Sequence, residues 1–171
     1  YDQALERQEK EVHELAANHF NRGKIHDLLF NLGQALHHYE KASRYAPEDL
    51  TYLNAYAATL TRQNEFTKAE HAYTNLLTVR RMLAKANPSA HEADLAMNLH
   101  NVGALYRLTE RFSESEKALL EAITIRRRLA QADPAWEPDL AFTLNNLAGV
   151  YAVTRRFTEV PPIVWTGFLR Q

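Results

Sequence analysis

The chain has 171 residues, 46% of them hydrophobic, with 20 basic and 21 acidic residues and a net charge of −1, which supplies a core but no strong pull toward nucleic acid or anionic lipid. The absence of cysteine excludes disulfides and thiolate metal sites, and no apolar run reaches the roughly 18 residues of a membrane-spanning helix. Five glycines and six prolines are few for a β-rich fold and suit long helices with occasional breakers.

In chain order, Leu5, Val12, Leu15, Ala16 and Phe20 predict a helix from about Gln3, with a break at Asn21-Arg22-Gly23-Lys24. A second helix is expected from Ile25 to Tyr45, ahead of Pro47, and the pair 1–48 reads as a divergent cap. Residues 49–93 form a more regular unit: Asp49 to about Arg62, a turn at Gln63-Asn64-Glu65, then Phe66 to Ala86, stopped by Asn87-Pro88. The unit 94–138 repeats this plan. Leu95, Leu99, Val102, Gly103 and Tyr106 recur at helical spacing, Thr109-Glu110-Arg111 turns, and a run from Phe112 to Leu129 ends near Asp133-Pro134. Residues 139–157 read as the first helix of a further unit. The tail 158–171 is atypical, because Pro161-Pro162 forbids the expected partner helix; Ile163, Val164, Trp165, Phe168 and Leu169 would fold back over it or meet another molecule. Asp49, Asp94 and Asp139 are each expected to cap a first helix, with Arg80-Arg81 and Arg126-Arg127-Arg128 complementing the negative end of each second one. The start at Tyr1, with no methionine and no signal pattern, reads as a processed chain or an excised fragment.

These units are copies. Asp94 through Tyr106 and Phe112 returns as Asp139 through Tyr151 and Phe157, 45 residues later, and Leu53, Tyr56, Ala57, Leu60 and Phe66 match Leu99, Val102, Gly103, Tyr106 and Phe112 at an offset of 46. A fixed period in the range of roughly 20–50 residues marks an all-α solenoid, whose units bury their apolar faces on one another. Function is then expected on a surface that several units build.

Leu-Asn-Asn-Leu-Ala-Gly-Val-Tyr at 144–151 followed by Arg-Phe-Thr-Glu at 156–159 resembles the tetratricopeptide repeat in its long form, as found in kinesin light chains and many bacterial proteins. Leu99, Val102, Gly103, Tyr106, Phe112, Ser115 and Ala122 stand at that family's packing positions, as do Leu53, Tyr56, Ala57, Leu60, Phe66, Ala69 and Tyr73. The resemblance implies a right-handed superhelix of antiparallel helix pairs whose first helices line a concave groove. It implies that the residue after each of Leu53, Leu99 and Leu144 faces that groove, giving a ladder of Asn54, His100 and Asn145, with Thr61, Arg107 and Ala152 two turns further along. Carboxamides can read a peptide backbone and Arg107 an acidic side chain, although such Asn residues also serve to bond neighbouring helices, the role expected of Asn101 and Asn146. Family members that grip acidic chaperone tails use a Lys and Arg clamp. The matching places here hold Asn54, Ala58, Asn101, Phe142 and Asn146, which argues against that ligand.

Eight histidines raise the question of a metal, but none forms His-Glu-x-x-His, and His13, His19 and His26 would share a face only if one helix ran unbroken through Gly23. No phosphate-binding glycine loop or activated nucleophile is visible. The expectation is a cytoplasmic, non-enzymatic scaffold without cofactor or metal, binding a protein or peptide partner and neither nucleic acid nor membrane. Two other readings stand beside it: a regulatory sensor of a small peptide or metabolite, and a homo-oligomer assembled through the C-terminal end.

Overall fold

A computed structural model describes residues 2–156. Its secondary structure is all-α: α1 (Asp2–Leu28), α2 (Leu32–Tyr45), α3 (Leu50–Arg62), α4 (Phe66–Ala86), α5 (Pro88–Leu108), α6 (Phe112–Ala132) and α7 (Glu137–Val153), with a short 3-10 turn at Pro134–Trp136. The chain divides within α4 into two compact units, 1–76 and 77–171. The atypical tail and Phe157 lie outside the described residues, as does any role for them in self-assembly.

Four turns that end helices share one design. Phe30, Asn64, Glu110 and Arg155 adopt positive φ, between 55° and 62°, although none is glycine. After each, a backbone N–H reaches five residues back to close the preceding helix: Asn31 to His26 O at 2.8 Å, Glu65 to Leu60 O at 2.9 Å, Arg111 to Tyr106 O and Arg156 to Tyr151 O both at 2.8 Å. These turns fix the register of the repeats. Seven residues before each stands a small residue, namely Gly23, Ala57, Gly103 and Ala148, so the first pair shares this turn register.

That register corrects the expected break at 21–24. α1 runs through it to Leu28, and the connection to α2 is the three residues 29–31. Gly23 is buried against Tyr39, where a Cβ would lie 2.6 Å from the ring. It permits a close helix approach and interrupts nothing. The N-terminal pair buries Ala16, Ala35, Tyr39 and Ala42 around this contact.

The second unit follows the same logic with larger side chains. Leu119, Ile123, Leu144, Leu147, Val150 and Tyr151 form the core between α6 and α7, and Ala84, Leu95, Ala96, Leu99, Ala122 and Ile125 form a second cluster beside it. Full burial of a leucine such as Leu147 contributes about 1.5–3 kcal/mol. Gly103 brings α5 onto α6, where the Ser115 hydroxyl donates to the Gly103 carbonyl at 2.7 Å.

Of the three expected caps, only Asp49 fulfils its role, accepting from Thr51 N at 2.8 Å and Tyr52 N at 3.3 Å. Asp94 is interior to α5, which begins six residues earlier at Pro88, and Asp139 lies in the first turn of α7. Proline in the first turn, the first residue of α5 at Pro88 and the second of α7 at Pro138, needs no N–H partner and has a preset φ, which suits these early starts. The arginines also serve differently from expectation. Arg80 and Arg126 are almost fully buried and donate to the carbonyls of Asp94 at 2.8 Å and Asp139 at 2.7 Å, tying each second helix to the first helix that follows.

Candidate functional site

In the second unit, Arg107 near the end of α5 and one face of α7 border an open depression of about 360 Å3, lined by Arg107, Asn145, Asn146, Ala148, Gly149 and Ala152. Positions 145, 148, 149 and 152 share a helix face by spacing, and their side chains are short, so the floor is backbone and methyl groups. Arg107 is half-buried, its Nε is fully covered without a hydrogen-bond partner, and it makes no ion pair among the described residues. A cationic group so placed favours an incoming carboxylate, which a guanidinium can bind through two parallel hydrogen bonds.

Gly149 is unlike the packing glycines. A Cβ there would meet only Arg107 Cδ, at 3.9 Å, whereas at Gly103 it would lie 2.7 Å from Leu119 Cγ. A glycine within a helix costs about 0.5–1 kcal/mol relative to alanine. The counterparts of Gly149 in the other repeats include Ala58 and Ala104, so packing does not demand glycine here; what it leaves is room for another backbone beside Arg107.

Beneath the depression lies a saturated polar network. His100 is only 5% exposed, contrary to its expected place on the open wall. Its Nδ1 lies 3.2 Å from Thr143 Oγ1, its Nε2 lies 3.3 Å from Asn146 Nδ2, and the ring stacks on Phe142 at 4.7 Å. The bonding assigns the Nδ1–H tautomer: Nδ1–H donates to Thr143, and Nε2 accepts from the carboxamide. Thr143 also accepts from Arg126 and donates to the Asp139 carbonyl at 2.9 Å. Burial, reinforced by the Arg126 charge, pushes the His100 pKa down to about 4. His100 therefore orients Asn146 from below and does not itself face a ligand.

The expected ladder is thus distributed. Arg107 and Asn145 come together in the depression, and His100 is buried beneath it. Asn54 and Thr61 lie on α3 in the first unit, both half-buried, with the Thr61 hydroxyl donating to the Ala57 carbonyl at 3.0 Å. The turn register adds Phe20 and Asp27 of α1 to the same series. Phe20 packs on Tyr39 and Tyr52 at 5.6 and 4.6 Å, and Asp27 is ion-paired with Arg62, so neither is open as Arg107 is. Sequence reasoning missed Gly149 and gave Asn146 a structural part; the legible signal was a mid-helix glycine where the two preceding copies carry Ala58 and Ala104.

Metal binding finds no support in the geometry. α1 is unbroken through Gly23, yet His13 turns to Glu48 at 3.1 Å while His19 meets His38, and among the described residues no three His, Asp or Glu side chains converge as a metal site would require. No helix among the described residues is long and apolar enough to cross a membrane.

Residues 95–135 match the family model of the tetratricopeptide repeat, which supports the resemblance on the unit where the packing positions are clearest. No curated protein matches the chain. Among 67 solved chains that match is the crystal structure of BtubC (BKLC) from P. vanneervenii, at a TM-score of 0.71 and 24% identity over 85% of this chain. The chain covers 59% of that protein, and the likeness is one of fold, an all-α helical repeat of the solenoid class.

Proposed function

We propose that this chain is a protein-interaction module that seats an extended partner segment in the α5–α7 depression. The observation that carries the reading is the half-buried Arg107, with its covered and unpartnered Nε, beside a glycine that packing does not require. On this reading Arg107 pairs with a carboxylate of the partner, Asn145 and Asn146 hydrogen-bond its main chain, and Gly149 lets that chain approach closely. Helical-repeat proteins of this family serve as interaction modules without chemistry of their own, and we place this one among them, in the cytoplasm. Asn54 and Thr61 would extend recognition to a longer segment.

The test is fluorescence-polarisation titration of the full chain with labelled dodecapeptides differing only in Asp and Glu content. Acidic peptides are expected to bind and their neutral Asn and Gln counterparts to bind at least ten-fold more weakly. Arg107→Gln should remove that preference while the melting temperature stays unchanged. A charge-assisted hydrogen bond contributes about 1.5–3 kcal/mol, or roughly ten- to hundred-fold in affinity. Equal binding by Arg107→Gln and the unsubstituted chain overturns the assignment.

A further inference from the structure

Outside the depression, four imidazoles gather where α1 meets α2. His19 Nδ1 and His38 Nδ1 are 2.9 Å apart, a hydrogen bond in which one ring donates and the other accepts. His26 stacks on His38 at 5.4 Å with 10° between the planes, His37 stands edge-on to His38 at 5.4 Å, and Tyr45 stacks on His19 at 5.7 Å. The Nδ1 of His26 is buried without a hydrogen-bond partner.

We propose that this contact is an acid-released clasp, holding α1 against α2 while the His19–His38 pair carries no more than one extra proton. The pair can keep its bond with one ring protonated, because an imidazolium N–H still finds a lone pair on its neighbour. A second proton removes that lone pair and sets two N–H groups, on two cations, face to face. The surroundings offer no relief. The charges that act on the two rings are Arg22 and His26 from α1 and His37 and Lys41 from α2, all cationic or able to become so, and no carboxylate of α1, α2 or α3 is among them. Burial comes first and these cations second in pushing both histidines below their ordinary value, in agreement with the geometry.

Acidification would then free the face of α1 that packs on Tyr39, converting a covered helix surface into an open one. The partner-binding depression belongs to the other unit, so the clasp stands or falls independently of it.

Hydrogen exchange of the full chain, corrected for intrinsic rates, tests the clasp between pH 7.5 and 4.5, a range that extends well below the ordinary histidine value. Amides of α1 and α2 are expected to lose at least five-fold in protection on acidification, and His19→Gln/His38→Gln, whose carboxamides bond without titrating, should show less than half that response. An unchanged α1–α2 exchange over this range, or the same acid response in the double variant, overturns the proposal. Should the double variant not fold, ring-nitrogen NMR of the unsubstituted chain decides: His19 and His38 titrating in two separated steps support the clasp, and a single independent step for each refutes it.

Discussion

Three glycines in helices show how much one methyl group decides. At Gly103 a Cβ would sit 2.7 Å from Leu119 Cγ and 3.3 Å from the Ser115 carbonyl, and at Gly23 it would sit 2.6 Å from Tyr39. At Gly149 it meets nothing closer than 3.9 Å. Gly103→Ala is therefore expected to destabilise by about 1–3 kcal/mol through overpacking. Gly149→Ala should instead stabilise by about 0.5–1 kcal/mol, since it restricts the unfolded chain and improves helix propensity. Thermal melts of the two variants should move in opposite directions, and Gly149→Ala should weaken peptide binding even as it raises Tm. His100 adds a pH dependence at the same scale. Its folded pKa, about 4, lies below the ordinary histidine value of 6.5, so the unfolded chain takes up the proton first. The stabilisation is complete above about pH 6.5 and is lost as pH falls from there toward 4, by about 3 kcal/mol in all. Urea unfolding at pH 7.5 and 4.5 should show this loss, and His100→Asn should reduce it.

Among elements, the second helices of the two later pairs are legible almost to the residue, because Phe66, Phe112, Asn87-Pro88 and Asp133-Pro134 bracket them with signals that local chemistry fixes, whereas the start of α2, expected at Ile25, lies at Leu32. The first helices were less legible. A short acid before an apolar run marks a cap only when the backbone before it is not already helical; Asp49 meets that condition, whereas α5 and α7 begin at Pro88 and Glu137, upstream of Asp94 and Asp139. Gly23 reads locally as a breaker, and only Tyr39 on the facing helix explains it. The site divides the same way. That Arg107 and Asn145 share a wall agrees with the ladder the resemblance implies, but the burial of His100 depends on Phe142, Thr143 and Asn146 closing over it from α7, a tertiary fact that no periodicity carries. Arg80 and Arg126 had looked like partners of the helix dipole and proved to be buried links between helices. Arg126→Ala should accordingly cost about 1.5–3 kcal/mol, since it removes the hydrogen bonds that a buried guanidinium gives to the Asp139 carbonyl and Thr143, while Arg126→Met, which refills the volume, should cost less. Surface-exposed Arg127→Ala should change stability by no more than about 0.5 kcal/mol, so paired melts separate a link from a solvated charge.

For the whole molecule, the decisive property is that within each unit the helices pack chiefly on their neighbours in sequence, α1 on α2 and α2 on α3 in the first, α5 on α6 and α6 on α7 in the second. The α6–α7 core is made by those two helices, and the α1–α2 contact is closed by Gly23, Tyr39 and the histidine pair. Energies in such an array add nearly as a chain of nearest-neighbour terms, so damage to one link should spread weakly along it. Leu147→Ala removes a fully buried side chain and should cost about 2–5 kcal/mol, yet the loss should be felt as faster amide exchange in α6 and α7 and not in α1 or α2. Gly23→Ala should produce the mirror image, loosening α1 and α2 while α6, α7 and the depression keep their protection and their affinity for acidic peptides. Exchange measured helix by helix in both variants tests this directly. A uniform loss of protection across all seven described helices in either variant would mean that the chain folds as one cooperative block, and that recognition in one unit could not be separated from acid response in the other.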